Sequence, residues 1–251
     1  MDELRLATLD DVPAIIDLYR GLSPESQLMR FSTHVAEDVL LRAAFLDDRF
    51  DAVIALRGGR VVGEARLEVN PDSDHEFAIT VADDVHGQGV GTALLDGVRE
   101  RAGDRGIVTL RAQVRIDNVP MLALLRRIGG VIVLVSGGDV LIDIASDRQM
   151  PGWPSRGAGT NVLVEAAGLM ERPITTALRA AGYDVRQCGG PGSGRREPCP
   201  LLSGARCRLA DEADSIVFLL PESDAQSRAV LAAHVSDRSD RLGARLAPSI
   251  R

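Results

Sequence analysis

Residues 79–95 constrain the fold most, because a β-branched strand there runs into a glycine-rich turn that opens an amphipathic helix. Backbone N–H groups in the first turn of such a helix have no partner inside the helix, and the helix dipole places partial positive charge there. Gly87, Gly89 and Gly91 let a ligand approach the backbone closely. The segment therefore predicts a turn that holds a diphosphate group without a cationic side chain.

Three kinds of nucleotide-binding loop compete for this segment. A dinucleotide fingerprint requires Gly-x-Gly-x-x-Gly/Ala, but its last position falls on Leu94 counted from Gly89 and on Thr92 counted from Gly87. A P-loop requires Gly-Lys-Ser/Thr, and the sequence contains no lysine, since all 29 basic residues are arginine. The remaining pattern, Gln/Arg-x-x-Gly-x-Gly/Ala, fits residues 88–93. An ordinary glycine-rich turn between a strand and a helix is the alternative that the loop alone leaves open.

The segments around the loop predict a mixed α/β domain. Upstream, the sequence predicts one strand, then three helical segments and then three more strands. A hairpin turn at 57–60 joins the first two of these three strands, 51–56 and 60–69. Downstream, it predicts a strand, a helix that Asn118 caps and glycines 129–130 end, and a final hairpin. The predicted segments are 4–7, 10–21, a helix from 23, 37–45, 51–56, 60–69, 76–81, the helix after the loop, 107–114, 118–128, 131–135 and 139–144.

Residues 1–146 resemble the GNAT acetyltransferase superfamily, and within it the acetyltransferase domain of bacterial protein lysine acetyltransferases of the Pat type. The resemblance rests on the acyl-CoA pyrophosphate loop at 88–93 and on blocks at 22–31, 62–66, 76–79 and 118–121. Two departures stand out. His86 and Gln88 replace the Gln and Arg expected in the loop, and Gly130 stands where a phenylalanine often closes the Asn-x-x-Met helix.

The resemblance implies a GNAT fold, in which helices flank a mixed central sheet, and an N-acetyltransferase that uses acetyl-CoA as its cosubstrate. The implied acceptor is an amine, with a protein lysine side chain as the leading candidate. The residues expected to bind the cofactor are Val81, Ala82, His86, Gly87, Gln88, Gly89, Val90, Gly91, Thr92, Asn118 and Met121. The exposed backbone of residues 80–82 is expected to pair with the pantetheine amides as an added strand, and an N–H near Val81 to polarise the thioester carbonyl.

Glu76 is the predicted general base. Acyl transfer to an amine needs a group that takes the amine proton, and Glu76 occupies the position that resembles the catalytic glutamate of Pat-like enzymes. It also lies on the strand that leads into the cofactor loop. The other interpretation is that Glu76 only opens a strand after the polar loop at 70–74. His75 and His86 are weaker candidates, because single histidines beside loops are more often surface residues.

Other polar residues receive weaker assignments. Asp83 and Asp84 are expected to belong to a solvated turn. Neither tyrosine of the chain is expected where many GNAT enzymes place a tyrosine acid, so water is expected to protonate the thiolate leaving group. Three charged residues are expected either to line the acceptor side or to form solvated faces. These residues are Arg30, Glu64 and Arg66.

Composition narrows the class of protein. No run of about 18 apolar residues and no basic-then-apolar start are present, so neither a membrane span nor a secretion signal is expected, and the predicted location is cytoplasmic. The formal net charge of -7 disfavours nucleic acid and anionic membranes as partners and suits a basic acceptor. Because lysine is absent, self-acetylation could occur only at the N-terminal amine.

A chain of 251 residues is too long for one such domain. The sequence predicts a GNAT domain at 1–148, a proline- and glycine-rich linker at 149–157 and a small parallel α/β accessory domain at 158–251. The second domain matches no family known to us and is expected to regulate activity or recruit the target. The oligomeric state stays open, with a homodimer as one option.

The cysteines all lie in this second domain. They could bind zinc with His234 or form a regulatory disulfide, but none has Cys-x-x-Cys spacing, so reduced packing residues are favoured and no metal is expected. The cysteines are Cys188, Cys199 and Cys207. Two alternatives to a protein lysine acetyltransferase remain: a small-molecule amine acetyltransferase and a non-catalytic acyl-CoA sensor.

Overall fold

The computed structural model describes residues 1–31, 36–70, 74–147, 149–153, 159–166, 173–191, 196, 198–221 and 223–242, with the backbone alone over 237–242. The chain divides into two compact units, Met1–Arg115 and Ile116–Arg251. This division falls inside the predicted first domain, and the boundaries at 148 and 158 stay predictions. Residues 154–157 of the predicted linker lie outside the described residues.

The elements of the first unit follow the predicted order. Its strands are β1 (Glu3–Leu6), β2 (Phe50–Arg57), β3 (Arg60–Glu68), β4 (His75–Val81) and β5 (Thr109–Arg115). Its helices are α1 (Val12–Arg20), α2 (Pro24–Phe31), α3 (Glu37–Ala44) and α4 (Val90–Asp104). Each lies within a few residues of a predicted segment, so the sequence periodicity is confirmed here as a guide to secondary structure.

The strands of the first unit are ordered β1-β2-β3-β4-β5. Neighbouring strands are antiparallel except for β4 and β5, which are parallel. The predicted hairpin between β2 and β3 is confirmed, and its turn places Gly58 at φ 55° and Gly59 at φ 77°. Residues with a side chain rarely adopt such angles, which explains the glycine pair in the turn.

Strands β4 and β5 separate after a short region of pairing. Their register joins His75 to Leu110 and Glu76 to Arg111, although both strands continue beyond these pairs. We refer to this divergence, bounded by residues 77–81 of β4 and 112–115 of β5, as the fork. One edge of β4 is therefore unpaired by β5 along most of its length.

Helices cover both faces of β3. Residues 61–67 of this strand are all buried, which requires packing on both sides of the sheet. Helix α4 lies against one face, where an added Cβ at Gly63 would come within 2.7 Å of Leu94. Helix α1 lies against the other face, where Tyr19 contacts Glu64. The apolar face predicted for α4 is confirmed, because Leu94, like its neighbours at 95 and 98, is fully buried.

The second unit contains five strands and four helices among its described residues. These elements are α5 (Val119–Arg127), β6 (Val131–Ser136), β7 (Asp139–Ala145), β8 (Asn161–Glu165), α6 (Pro173–Ala180), β9 (Asp184–Cys188), α7 (Arg208–Asp211), β10 (Ser215–Phe218) and α8 (Ala225–Leu242). The strand order is β7-β6-β9-β8-β10, and β8 runs parallel to both β9 and β10. Helix α7 and a 3-10 turn at Pro200–Ser203 are elements that the sequence analysis did not predict.

The thiols of this unit are buried and unbonded to one another. Burial raises the pKa of the Cys207 thiol to about 12, so this group stays protonated near neutral pH. No group of three or more His, Cys, Asp or Glu side chains within the described ranges could hold a metal ion. The zinc hypothesis therefore finds no support in that part of the chain. Over the same residues, no helix is both long and apolar enough to cross a membrane.

Candidate active site

The predicted phosphate loop connects β4 to α4. After a 3-10 turn at Asp83–Val85, Gly87 and Gly89 adopt φ angles of 72° and 81°, and α4 begins at Val90. Glycine is favoured at both positions because a side chain would be strained there. The Ala93 N–H donates to the Gly89 carbonyl at 3.1 Å, so the N–H groups of residues 90–92 precede the helical ladder. The loop therefore presents free donors at the positive end of a 15-residue helix.

Close packing fixes the start of α4 against the sheet. An added Cβ at Gly63 of β3 would lie 2.7 Å from Leu94 Cδ1 and 3.1 Å from Val90 Cγ1. An added methyl group would therefore displace side chains of α4, and glycine permits this close approach without that cost. This contact gives a physical reason for Gly63 within the block at 62–66.

Side chains from the β2–β3 hairpin contact the loop. Arg57 Nη1 donates to Gln88 Oε1 at 2.8 Å, and Gln88 Nε2 donates to the Asp84 carbonyl at 3.2 Å. Arg60 forms an ion pair with the Asp84 carboxylate. Asp84 is exposed, as the solvated-turn interpretation expects, but it is also held by this arginine. Two cationic side chains thus stand beside a loop that has no arginine of its own.

Asp83 ties the loop to the start of α2. Its carboxylate accepts the Ser23 N–H at 2.8 Å, the Ser23 hydroxyl at 3.2 Å and the Ser26 hydroxyl. Partial burial raises the pKa of Asp83, but the hydrogen bonds from Ser26 and Ser23 outweigh it, so the pKa lies below its ordinary value. Asp83 therefore joins the loop to α2 and is not only part of a solvated turn.

The backbone of β4 alternates between β3 and the fork. The Ala82 N–H donates to the Val62 carbonyl at 2.9 Å. Because antiparallel residues face their partner strand alternately, residues 80 and 82 face β3, whereas the N–H groups of Ile79 and Val81 face the fork. His86 Nε2 donates to the Val81 carbonyl at 2.9 Å. Of residues 80–82, Val81 alone thus directs its N–H toward an added strand.

Glu76 lies where the fork begins. It is the last residue of β4 that pairs with β5, opposite Arg111, and its side chain is exposed. Its antiparallel neighbour is Glu68 of β3, so the two carboxylates share a face with their Cβ atoms about 5 Å apart. Within the described part of the chain, neither carboxylate has a hydrogen bond or an ion pair. Arg111 instead pairs with Asp74.

Both histidines near the site bind backbone groups. His75 Nδ1 accepts the Asn70 N–H at 3.2 Å. His86 uses Nε2 for the Val81 carbonyl, as described above. The lower weight given to both residues as catalytic groups is consistent with these contacts.

A buried polar network lies on the same sheet face as Glu76. Glu64 is 0% exposed, and it accepts hydrogen bonds from the Tyr19 hydroxyl and from Arg66 Nη2 at 2.9 Å. Burial, followed by the negative charge of Glu64, raises the pKa of Tyr19 above its ordinary value. Glu64 and Arg66 therefore form an internal contact between sheet and helix rather than an open acceptor surface. The sequence analysis missed Tyr19, whose only signal was its place on the apolar side of α1.

Arg30 is the one predicted acceptor-side residue that stays partly exposed. Its Nε donates to Thr80 Oγ1 at 3.0 Å, and its guanidinium lies 4.9 Å from the Phe31 ring centroid. The side chain is thereby held over β4 from α2.

Asn118 and Met121 belong to the second unit. Asn118 Oδ1 accepts the Met121 N–H at 3.2 Å and caps α5, which confirms the capping interpretation. A cofactor contact by either residue stays a prediction. At Gly130, an added Cβ would lie 2.9 Å from the Leu125 carbonyl and 2.8 Å from Ile142 Cγ2. The backbone here leaves no room for a phenylalanine, which explains that departure from the family pattern.

Comparison with known proteins now identifies the class. Residues 13–130 match the acetyltransferase (GNAT) family. This match confirms the predicted resemblance to the GNAT acetyltransferase family over this part of the chain, and the predicted enzyme class is confirmed. Members of that family use acetyl-CoA.

Several solved structures are similar to part of the chain. The chain is similar to the GNAT domain of S. lividans PAT, with 24% identity and a TM-score of 0.51 over 57% of this chain and 89% of that one. It is also similar to the ribosomal-protein-S18-alanine N-acetyltransferase from Escherichia coli (20% identity, TM-score 0.46, 58% and 94% of the two chains). A third similar structure is the ribosomal-protein-alanine N-acetyltransferase from Brucella melitensis (25% identity, TM-score 0.45, 56% of this chain and 98% of that one). The first likeness confirms the predicted GNAT fold.

Proposed function

We propose that this chain transfers an acetyl group from acetyl-CoA to the lysine side chain of a protein, with Glu76 as the general base. The observation that carries the proposal is the position of Glu76. An exposed carboxylate without a partner among the described residues stands where β4 and β5 separate, on the strand that leads into a helix N-terminus with free donors.

The cofactor would lie along β4. Its diphosphate would accept hydrogen bonds from the backbone at 87–92, and its pantetheine arm would enter the fork as an added strand. The outward N–H of Val81 or Ile79 would then polarise the thioester carbonyl. His86 would hold the neighbouring carbonyl of Val81. Asn118 and Met121 are proposed contacts on the resemblance alone.

The chemistry assigns one task to Glu76. A lysine ammonium must lose a proton before its nitrogen can attack, and the Glu76 carboxylate would accept that proton directly or through one water. The amine nitrogen would form the new bond to the acetyl carbon, the carbon–sulfur bond would break, and the nitrogen would release its second proton to water. The CoA thiolate would take a proton from water, because Tyr19 is buried against Glu64 and unavailable.

The charge around the fork favours a cationic acceptor. Glu68 and Glu76 stand directly opposite each other, an arrangement in which like charges repel. An ammonium group placed beside them would relieve this repulsion. The formal net charge of -7 acts in the same direction at longer range. A lysine side chain has the length to bring its amine to this rim while the protein that carries it stays outside.

The chain's composition makes a sharp experiment possible. Purified protein would be incubated with acetyl-CoA and a lysate of its source, while CoA release, acetyl-lysine immunoblots and mass spectra of small amines are recorded. Because the sequence contains no lysine, every acetyl-lysine band must come from another protein. Bands that need intact Glu76 would support the proposal. Acetylated small amines without bands would favour a small-molecule enzyme, and acetyl-CoA binding without product would leave the sensor alternative.

Glu68 provides a second variant. Glu68→Gln removes one carboxylate from the pair but leaves the proposed base in place. The expected effect is a KM for the lysine acceptor that rises about twofold to fivefold, with a smaller change in kcat, because a partly exposed charge contributes up to about 1 kcal/mol. An equal loss of kcat in Glu68→Gln and Glu76→Gln would contradict the assignment of Glu76 as the single base.

A further inference from the structure

The candidate phosphate loop has backbone donors but no cationic side chain of its own. Residues 82–92 contain no arginine and two aspartates, Asp83 and Asp84. Acetyl-CoA carries a diphosphate and a 3'-phosphate, and carboxylates near these groups would repel them. The free backbone donors of α4 supply partial positive charge, but no full cation.

The β2–β3 hairpin supplies the missing charge in space. Arg60 pairs with the Asp84 carboxylate and so offsets one of the two negative charges. Arg57 donates from Nη1 to Gln88 Oε1 at 2.8 Å, and Gln88 in turn donates to the Asp84 carbonyl at 3.2 Å. The Gln88 amide therefore holds the Arg57 guanidinium close to the start of α4, because Gln88 directly precedes the N-cap residue Gly89.

The Arg57 guanidinium retains capacity for an anion. A guanidinium has five N–H donors, and the contact with Gln88 is its one hydrogen bond to the described residues. The side chain is half-buried, so less conformational entropy would be lost when it binds an anion. An arginine fork is also the side chain best matched to the oxygens of a phosphate.

We propose that Arg57, held by Gln88, binds a phosphate group of acetyl-CoA and replaces the cationic side chain that the loop itself lacks. This inference rests on the proposed function, because it assumes that acetyl-CoA binds at the loop. The binding pocket for the anion would then have two walls: the first-turn N–H groups of α4 and the guanidinium from the neighbouring hairpin.

The first test measures binding directly. Calorimetric titration of the full chain with acetyl-CoA is expected to give a Kd about tenfold higher for Arg57→Gln, the loss typical of one charge-assisted hydrogen bond at a partly exposed site. The matched control is Arg42→Gln, which removes an exposed arginine paired with Asp38 on α3 and should leave Kd unchanged. An unchanged Kd in Arg57→Gln would overturn the inference.

A second ligand identifies the phosphate. If Arg57 contacts the 3'-phosphate, Arg57→Gln should weaken acetyl-CoA but not 3'-dephospho-acetyl-CoA. If it contacts the diphosphate, both ligands should weaken equally. In turnover, the loss should appear in KM more than in kcat, because the contact would be made equally in the ground state and the transition state.

A rescue variant distinguishes affinity lost with the Arg57 charge from affinity lost because the loop is disturbed. The double variant Arg57→Gln/Gln88→Arg moves the guanidinium into the loop and should recover most of the affinity. Gln88→Glu keeps Arg57 but engages its guanidinium with a carboxylate, and it should weaken binding even if Arg57→Gln fails to fold. Full affinity in Gln88→Glu would overturn the inference. Absence of acetyl-CoA binding by the unmodified chain would instead refute the proposed function.

Discussion

Two carboxylates on one face of the β3–β4 pair have opposite surroundings. Glu64 is fully buried, and both of its oxygens accept hydrogen bonds, one from Tyr19 and one from Arg66. Glu76 stands at the start of the fork, exposed, with Glu68 of β3 and Arg111 of β5 as its cross-strand neighbours. The two glutamates are twelve positions apart in sequence, and each occupies a strand whose side chains alternate between the same two faces.

The contrast teaches that the surroundings of a carboxylate decide what it can do. A buried carboxylate whose hydrogen bonds are satisfied holds its neighbours in place, and it cannot reach a substrate without breaking that network. An exposed carboxylate without internal partners can accept a proton at little structural cost. Residue type and strand position are similar for both, so the surroundings assign the roles.

The largest expected effect comes from the exposed carboxylate. Glu76→Gln should lower kcat about a hundredfold to ten-thousandfold, the range for loss of a general base. Thermal stability and the Kd for acetyl-CoA should stay unchanged, because the side chain has no partner among the described residues. Fixed-time assays of CoA release measure kcat, and calorimetry on the same preparation measures thermal stability and the Kd for acetyl-CoA. Normal turnover in this variant would show that another group takes the proton.

The buried carboxylate should give the converse result. Glu64→Gln is expected to lower the free energy of unfolding by about 3 kcal/mol, because it leaves the buried Arg66 guanidinium without its charge partner. Tyr19→Phe should cost about 1 to 2 kcal/mol, since it removes one donor from Glu64. Urea denaturation followed by circular dichroism measures both. The comparison between the two glutamates would fail if Glu64→Gln lost turnover but kept full stability.

The sequence was sufficient for the parts of the site that are local. The strand, the glycine turn and the start of α4 depend on backbone conformation and on periodicity within residues 79–95, and all three are confirmed. The cap formed by Asn118 depends on an N–H three residues away and was equally predictable. Such contacts are encoded by spacing, which a single sequence displays.

The contacts that distinguish the two carboxylates are long-range. Tyr19 meets Glu64 across 45 positions of sequence, and Asp83 meets Ser23 across 60. The fork depends on where β4 and β5 stop pairing, which no residue pattern in either strand marks. Glu64 and Arg66 were therefore expected either at an acceptor surface or on a solvated face, although packing of α1 against β3 buries them.

The third prediction concerns the close approach of α4 to β3. Gly63→Ala should lower the free energy of unfolding by about 1 to 3 kcal/mol, the usual cost of an added methyl group in a packed core. The new Cβ would meet Leu94 Cδ1 at 2.7 Å and Val90 Cγ1 at 3.1 Å, so side chains in the first turns of α4 must shift. Because those turns carry the candidate phosphate donors, acetyl-CoA binding should weaken as well. Gly103→Ala, whose added Cβ meets nothing within 4 Å, is the matched control in the same helix.

The smallest expected effect is a pH-dependent tie between the loop and α2. The pKa of Asp83 in the folded chain is below its unfolded value, so its stabilising contribution is fully present above that unfolded value, about pH 4. The contribution is lost as pH falls further, through the folded pKa. Asp83→Asn should therefore lower Tm at neutral pH by an amount that vanishes in acid. The carboxylate is exposed and screened, so the effect should stay below about 1 kcal/mol.

Melting curves of Asp83→Asn and the unmodified chain, from about pH 8 down to about pH 3, measure this difference. Asp38→Asn is a suitable control, because Asp38 lies in an exposed pair with Arg42 rather than at a junction between elements. A Tm difference for Asp83→Asn that persisted in acid would mean that the amide disturbs the contacts with Ser23 and Ser26 by its shape. In that case the charge of Asp83 would not be what joins α2 to the loop, and the shape of its hydrogen bonds would be.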